Sequence, residues 1–144
     1  VEIAAMSRGS RGADVRRDAA RAVERTGLAE WADRRSGSLP AGMQKRLELA
    51  RALAMRPRVL LLDEVLAGLV PAERAPVLDL LEDLRRQEGT TMVFIEHIMA
   101  AVRRLSDHVV MMDQGAVLAR GDAESVLSDP KVVEAYLGKE TRSA

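Results

Sequence analysis

The chain has 144 residues, a mass of 15.7 kDa and a formal net charge of zero, and 47% of its residues are apolar and 31% charged. This composition is typical of a globular domain and excludes disordered and collagen-like classes. The sequence holds no cysteine, which excludes a disulfide framework, a thiolate metal site and a cysteine nucleophile, and no apolar run approaches the roughly 18 residues that span a bilayer.

The first predicted elements are all helical. Apolar residues at helical spacing predict a helix over residues 14–26 and a shorter helix over 28–35. Residues 36–40 are rich in Ser, Gly and Pro and predict a turn. A longer helix is expected from about residue 42 to 55, so the first part of the chain is predicted to be a small helical unit.

After Pro57 the pattern changes to strands that alternate with helices. The apolar run 59–62 predicts a strand buried on both faces of a parallel sheet, and residues 90–95 predict a second strand. Pro71 opens the helix between them, whose regular part is expected only from Pro76 onward. This order predicts an α/β fold with right-handed crossovers. The other predicted elements are a helix that ends near residue 105, a hairpin of strands 108–112 and 116–119, and short helices at 123–127 and 131–137.

Acidic residues end both predicted parallel strands. Asp63 and Glu64 follow the first strand, and Glu96 and His97 follow the second. Because ligands bind beyond the carboxyl ends of the strands in such sheets, the pattern favours a functional site over two solvated loop starts.

Four segments resemble the motifs of one family, the ATP-binding cassette (ABC) ATPases. Residues 59–64, Val-Leu-Leu-Leu-Asp-Glu, resemble the Walker B strand, and Ala67-Gly68-Leu69 stands where the family has its D-loop. Residues 39–46 resemble the signature loop and precede a helix as the family requires. Residues 94–97 resemble the switch-histidine segment, and the order and spacing of all four segments match the family.

The C-terminal tail narrows this resemblance. Residues 129–138, Asp-Pro-Lys-Val-Val-Glu-Ala-Tyr-Leu-Gly, are similar to the tail of the ATP-binding subunit of bacterial branched-chain amino acid importers. The resemblance covers residues 14–140 and implies an α/β, P-loop NTPase-like ABC ATPase domain that lacks its N-terminal P-loop portion. The implied parts are a helical subdomain with the signature loop at 1–57, the C-terminal part of the ATPase core at 58–128 and the tail at 129–144.

The resemblance also implies a role for each motif. Asp63 is expected to face Mg²⁺ through water, Glu64 to polarise the attacking water, and His97 to hold the γ-phosphate, Glu64 and the water in line. The N-terminus of the helix near Gly42 is expected to offer backbone N–H groups to the ATP held by the opposite subunit. The residues expected at that phosphate are Pro40, Ala41, Gly42 and Gln44, and those of the dimer D-loop are Ala67, Gly68 and Leu69.

The largest departure from the family is that the sequence holds no Gly-x-x-x-x-Gly-Lys-Ser/Thr phosphate loop. Gly138-Lys139 comes nearest, but Val133 and Glu140 occupy the other two defining positions. We therefore expect either a fragment of a longer ATPase or a chain that cannot hold ATP in its own site. We also expect exposed apolar strand surface, and hence marginal stability or aggregation.

Smaller departures concern the two subunit-facing loops. Pro40 stands where the signature loop usually has Ser, Met43 where it usually has Gln, and Val70 where the D-loop commonly has a polar residue. Each change removes a side-chain hydrogen bond, but the backbone donors of the signature loop remain. The contact with the opposite nucleotide is therefore expected to be weakened rather than abolished.

Three functions follow from these observations. The leading one is the C-terminal portion of an importer's ATP-binding subunit, which couples MgATP hydrolysis to amino acid uptake, with branched-chain amino acids as the expected substrates. The alternative is a non-catalytic remnant that pairs with an intact ATPase and donates only the contacts of the Gly42 helix. A DNA-acting ATPase of the same family is disfavoured, because nothing in the sequence shows the heptads of a long coiled coil.

The leading function implies a set of partners and a location. The expected partners are a second ATPase subunit, in a homodimer or heterodimer, the membrane permease subunits and, indirectly, an extracytoplasmic solute-binding protein. Nucleic acid is not expected as a partner, and the three aromatic residues of the chain argue against a platform on which single-stranded bases stack. The expected location is the cytoplasm, at the inner face of the membrane.

Overall fold

The computed structural model describes residues 1–9 and 11–140, which fall into two compact units, one ending at Ile95 and one beginning at Glu96. The elements of the first unit are α1 (Glu2–Ser7), α2 (Ala13–Arg25), α3 (Ala41–Ala54), β1 (Val59–Asp63), α4 (Pro71–Glu88) and β2 (Thr91–Ile95). Those of the second are α5 (Met99–Leu105), β3 (Val109–Asp113), β4 (Ala116–Gly121), α6 (Ala123–Leu127) and α7 (Pro130–Glu140).

The helical part of the first unit is built from α1, α2 and α3, which pack against one another. The apolar stripe predicted for α2 is buried, with Val15, Ala19 and Ala22 each at most 6% exposed. These residues are spaced by four and three positions, which places them on the same side of a helix. The helices α2 and α3 are thus confirmed, whereas α1 was not predicted because it buries a single residue, Ala5.

Two local predictions in the first unit are wrong. Residues 28–35 form a 3₁₀ turn at Ala29–Trp31 rather than a helix, because Leu28 alone is buried and the residues that follow, apart from the half-buried Trp31, are exposed. The helix α4 runs without a break from Pro71 through Pro76. Pro71 is well placed at the first helical position, and Pro76, on the exposed surface, removes only one intrahelical hydrogen bond.

The parallel sheet consists of β1 and β2, as predicted. Their register pairs Leu60 with Met92 and Leu62 with Phe94, and α4 forms the connection between the strands. Leu60 is 4% exposed and belongs to the core, as do three fully buried side chains of α4 at helical spacing. Those three side chains are Val77, Leu81 and Leu84.

The predicted burial of β1 on both faces is wrong. Side chains alternate along each strand, so the parallel register places Val59, Leu61, Val93 and Ile95 together on one face. These four residues are 53–73% exposed, which means that helices cover only the opposite face in the described part of the chain. The exposed apolar strand surface expected from the sequence is therefore present. We call these four residues the open face.

The second unit contains the predicted hairpin of β3 and β4. The strands pair antiparallel with a bulge between Met111 and Met112, and the turn places Gln114 and Gly115 at positive φ, which matches the twist of a two-residue hairpin. The helices α6 and α7 pack against β4 and against each other. Of the helices in the described residues, none is both long and apolar enough to cross a membrane.

Candidate functional site

The first part of the candidate site is the end of β1. Asp63 is the last residue of the strand, and both Asp63 and Glu64 are exposed. Glu64 has a φ of 44°, and its N–H donates to the carbonyl of Ile95 at 3.0 Å, at the end of β2. This left-handed conformation costs a non-glycine residue about 1–2 kcal/mol. Strain of this kind clusters at functional sites, where the surrounding hydrogen bonds hold it in place.

The turn after Glu64 contains the predicted D-loop. The Ala67 N–H donates to the carbonyl of Glu64 at 3.0 Å, and Gly68 takes a φ of 75° in open space. The carbonyl of Leu69 accepts the side-chain Nε–H of Arg74 at 2.8 Å. These contacts tie the two ends of the turn to β1 and to α4, so residues 67–69 form a closed loop of defined shape.

The start of α4 is held by Glu73. One carboxylate oxygen of Glu73 accepts the Val70 N–H at 3.1 Å, which is half of a capping box. The reciprocal bond is impossible because the Val70 side chain has no acceptor. Neither Glu73 nor Arg74 was predicted to matter, although a glutamate three residues after an N-cap is a recognisable helix-start signal.

The predicted signature loop lies at the start of α3. Pro40 is the N-cap, and its carbonyl accepts the N–H groups of Met43 and Gln44, both at 2.9 Å. Ala41 and Gly42 occupy the first two helical positions, whose N–H groups have no intrahelical acceptor in any α-helix. Such donors, at the positive end of the helix dipole, are suited to a phosphate.

Gln44 has a structural contact that was not foreseen. Its side-chain nitrogen donates to the carbonyl of Leu39 at 2.9 Å, across the Pro40 bend. Leu39 is buried, so this hydrogen bond fixes the loop to the core just before the helix begins. The amide of Gln44 therefore braces the loop in this structure.

The structure brings the starts of α3 and α4 together. A Cβ atom built on Gly42 would lie 2.8 Å from the carboxyl carbon of Glu73, far inside van der Waals contact. Gly42 and Glu73 therefore touch, so the predicted signature loop lies against the first turn of α4. Asp63 and Glu64 belong to the same first unit.

His97 belongs to the second unit, between β2 and α5. It is exposed, and its backbone carbonyl accepts a hydrogen bond of 3.3 Å from the hydroxyl of Tyr136, on α7. Ile98, the next residue, is the N-cap of α5. The structure thus connects the predicted switch histidine to the C-terminal helix, a contact that sequence reasoning did not find.

The described side chains form no ready-made metal site. No group of three or more His, Asp or Glu residues is placed to hold a metal ion in the described part of the chain. Asp63 and Glu64 offer carboxylate oxygens at the strand end, which is the donor type that Mg²⁺ takes when phosphates and water complete its shell.

Two family models match the sequence. A model described as ABC transporter matches residues 3–67, which include the predicted signature loop, Asp63 and Glu64. A model described as branched-chain amino acid ATP-binding cassette transporter matches residues 116–141, which include β4, α6 and α7. The two matches lie on either side of the switch-histidine segment.

Similar proteins and structures have compatible descriptions. The high-affinity branched-chain amino acid transport ATP-binding protein BraF of Pseudomonas aeruginosa is 45% identical over 84% of this chain and 48% of its own length. LivG of Escherichia coli K12, described in the same words, is 42% identical over 81% of this chain and 46% of its own. The ADP-conformation structure of the ATP-binding cassette MJ1267 superposes with a TM-score of 0.78 and 33% identity, over 90% of this chain and 52% of that one. The chain therefore spans about half the length of the curated relatives it matches.

Proposed function

Because the chain belongs to the ATP-binding cassette family of ABC transporters, we propose that it is the C-terminal part of the ATP-binding subunit of a branched-chain amino acid importer. The observation that carries this proposal is the strained Glu64, which directly follows Asp63 at the end of β1. The tail match and the names of the relatives support the choice of solute.

In this proposal the acidic pair serves ATP hydrolysis. Asp63 would hold Mg²⁺ through water, and the ion would neutralise charge on the phosphates. Glu64 accepts a hydrogen bond from the attacking water and draws the proton away as the water attacks. His97 hydrogen-bonds the γ-phosphate. In this proposal the left-handed backbone at Glu64 orients the carboxylate differently from the side chains of β1, and this orientation is the function of the strain.

The residues of this chain fit only part of a nucleotide site. Asp63 and Glu64 suit Mg²⁺ and water, but the sequence holds no phosphate loop to cradle the nucleotide beside them. The N–H groups of Ala41 and Gly42, which no carbonyl of the same helix accepts, are the donors that this proposal assigns to a phosphate of the opposite subunit. The proposal therefore requires a phosphate loop on another stretch of polypeptide, and it assigns the α3 start to the nucleotide of the opposite subunit.

The same arrangement implies partners and a location. In a head-to-tail dimer, the loop at residues 67–69 and the α3 start would both face the second ATPase subunit. Membrane permease subunits receive the closing motion, and a solute-binding protein outside the membrane delivers the amino acid to them. The protein then acts in the cytoplasm, at the inner face of the membrane.

The lack of a phosphate loop in the sequence favours a second candidate function. A non-catalytic chain would pair with an intact ATPase and donate only the contacts of residues 40–44. The intact mass of the polypeptide isolated from its own cells separates the two functions. A mass well above 15.7 kDa supports the ATPase subunit, and a mass of 15.7 kDa supports the non-catalytic partner.

The test of the proposed function is Glu64→Gln at the native locus of the source cells, with Glu30→Gln as the matched control. Glu30 is exposed in the 3₁₀ turn at Ala29–Trp31, outside the four motif segments. Loss of a general base lowers turnover by about 10²–10⁴-fold. Uptake of radiolabelled leucine and ATPase activity of the purified transporter should fall accordingly in Glu64→Gln only. Unchanged leucine uptake in Glu64→Gln would refute the proposal.

A further inference from the structure

We propose that Tyr136 is a positioning residue that holds the backbone of His97, so that the branched-chain-type tail takes part in the hydrolytic site. The inference rests on the proposed function, because it deepens the role of His97. The observation that carries it is the hydrogen bond from the Tyr136 hydroxyl to the His97 carbonyl, which spans 39 positions of the chain.

The helix α7 has a fixed position in the second unit. The carboxylate of Asp129 accepts the Lys131 N–H at 2.8 Å at the start of the helix. Val132 is 3% exposed and anchors the first turn in the core of the second unit, where α7 packs on α6 and β4. A helix fixed by these contacts can hold a residue that contacts it in a defined position.

Val132 and Tyr136 are four residues apart on α7. Residues four apart lie one above the other on the same helix face. The anchor therefore also directs Tyr136, whose ring is only partly covered at 37% exposure while its hydroxyl reaches His97. Without the buried Val132, a tyrosine this exposed would be free to adopt other orientations.

The contact holds the peptide unit that follows His97. The carbonyl of His97 belongs to the peptide unit shared with Ile98, the N-cap of α5. A bond to this oxygen fixes the orientation of that peptide plane and so limits the directions that the His97 imidazole can take. At 3.3 Å the bond is longer than the 2.7–2.8 Å typical of O–H···O bonds. Hydrogen bonds of catalytic sites commonly tighten once substrate binds.

Tyr136 and His97 belong to different parts of the family resemblance. Tyr136 lies within residues 116–141, the match to the branched-chain transporter model, whereas His97 lies in the segment that resembles the switch motif of ABC ATPases. The contact thus joins a feature of the subfamily to a motif of the whole family. Through this contact, the C-terminal tail takes part in the ATP hydrolysis that we propose.

The first arm of the test observes the contact alone. His97–Ile98 is the single His–Ile pair in the sequence, so a chain labelled with ¹³C at the His carbonyl and ¹⁵N at Ile shows one correlated resonance. Tyr136→Phe keeps the ring and removes the donor, and the His97 carbonyl signal should move upfield. Glu134→Gln, exposed on the same helix, is the control and should leave it in place. Thermal melts of both variants establish that they fold.

The second arm measures the purified transporter. Tyr136→Phe should lower the kcat of ATP hydrolysis by about two- to fourfold, with an unchanged KM for MgATP, since one neutral hydrogen bond is lost. A general loss of folding would instead lower the yield and the melting temperature. Glu134→Gln should match the parent.

Each other outcome overturns the proposal in a distinguishable way. A His97 carbonyl signal that does not move in Tyr136→Phe refutes the contact, whatever the transporter does. A signal that moves with an unchanged kcat refutes the positioning role and leaves the proposed function standing if Glu64→Gln is inactive. If Glu64→Gln is active, the proposed function itself fails, and the role of Tyr136 in that reaction fails with it.

Discussion

Gly42 lies against the carboxylate of Glu73, so that the glycine at the start of α3 and the glutamate at the start of α4 occupy one small space. The same carboxylate accepts the Val70 N–H, which begins the segment after the 67–69 loop. One side chain thus caps α4 and also contacts the loop that we assign to the opposite nucleotide. The glycine is required here for its lack of a Cβ, since its φ is that of an ordinary helical residue.

The first prediction is that Gly42→Ala displaces the Glu73 carboxylate and breaks its bond to Val70. The lost hydrogen bond costs about 0.5–1.5 kcal/mol, but alanine in place of glycine favours the helix by about 1 kcal/mol. The net change in the free energy of unfolding should therefore be under about 1 kcal/mol. Faster hydrogen exchange of the Val70 amide should report the displacement directly.

The double variant makes this prediction sharper. In a Glu73→Ala background the steric conflict is gone, so Gly42→Ala should then stabilise the protein by about 1 kcal/mol in urea unfolding. Gly37→Ala is the control, because among the described residues only its chain neighbours lie within 4 Å of its Cβ position, so its effect should not depend on Glu73. Additive effects of Gly42→Ala and Glu73→Ala would contradict the contact.

A second prediction contrasts Leu60 and Leu61, neighbours on opposite faces of β1. Leu60 is 4% exposed and Leu61 is 73% exposed, on the open face. Leu60→Ala should lower the free energy of unfolding by about 2–5 kcal/mol, since it leaves a cavity in the core. Leu61→Ala should change it by less than about 1 kcal/mol and should reduce aggregation, measured by light scattering at rising concentration. Equal destabilisation by the two variants would mean that the open face is covered.

A third prediction concerns the buried carboxylate of Asp18. Its side chain is 3% exposed and forms ion pairs with Arg8 and Arg56, beside a cavity of about 240 Å³ that Arg21 and Arg25 also line. Removal of one partner from a buried pair costs about 3–5 kcal/mol, and less where the other partner regains water. Both Arg8 and Arg56 are 44% exposed. Asp18→Ala should therefore lower the free energy of unfolding, measured in urea, by about 2 kcal/mol.

The control for this prediction is Asp14→Ala on the same helix. Asp14 pairs with Arg17 at 2.7 Å, but both side chains are more than half exposed. Exposed pairs contribute about 0–1 kcal/mol. If Asp14→Ala lowered the free energy of unfolding as much as Asp18→Ala, burial would not determine the strength of the Asp18 ion pairs.

A fourth prediction is a pH effect at the N-cap of α6. The backbone N–H of Ser125 donates to Asp122 at 2.9 Å and its hydroxyl donates at 2.7 Å, and these bonds hold the pKa of the Asp122 carboxyl below its ordinary value. A carboxyl whose pKa is lower in the folded state stabilises the fold at pH above its unfolded pKa. That contribution is lost as the pH falls through the folded pKa.

The measurement is an acid titration followed by the ¹³C signal of the Asp122 carboxyl. Ser125→Ala removes the hydroxyl donor but keeps the backbone donor, so the pKa of Asp122 should rise part of the way towards its ordinary value. Ser128→Ala, at the other end of α6, should leave the titration of Asp122 unchanged. An unaltered pKa in Ser125→Ala would mean that the hydroxyl contributes nothing.

The sequence by itself determined most of the local structure. The periodic apolar residues of α2, such as Val15 and Ala19, placed that helix correctly, and the run at 59–62 placed β1. The family resemblance also came from local order, because Asp63-Glu64, the signature loop and the tail are short motifs that can be read without contacts. Such features depend on residues that are close together in the sequence, and these are also close in space before the chain folds.

Only the tertiary structure decided which surfaces are covered and which distant residues meet. Periodicity shows that Leu60 and Leu61 face opposite sides, but whether a side is buried depends on what packs against it. In the same way, Gly42 meets Glu73 and Tyr136 meets His97 across about 30 to 40 positions, distances at which the sequence pattern carries no information. The motifs were legible from the sequence, whereas the contacts that hold them in place exist only once the chain is packed.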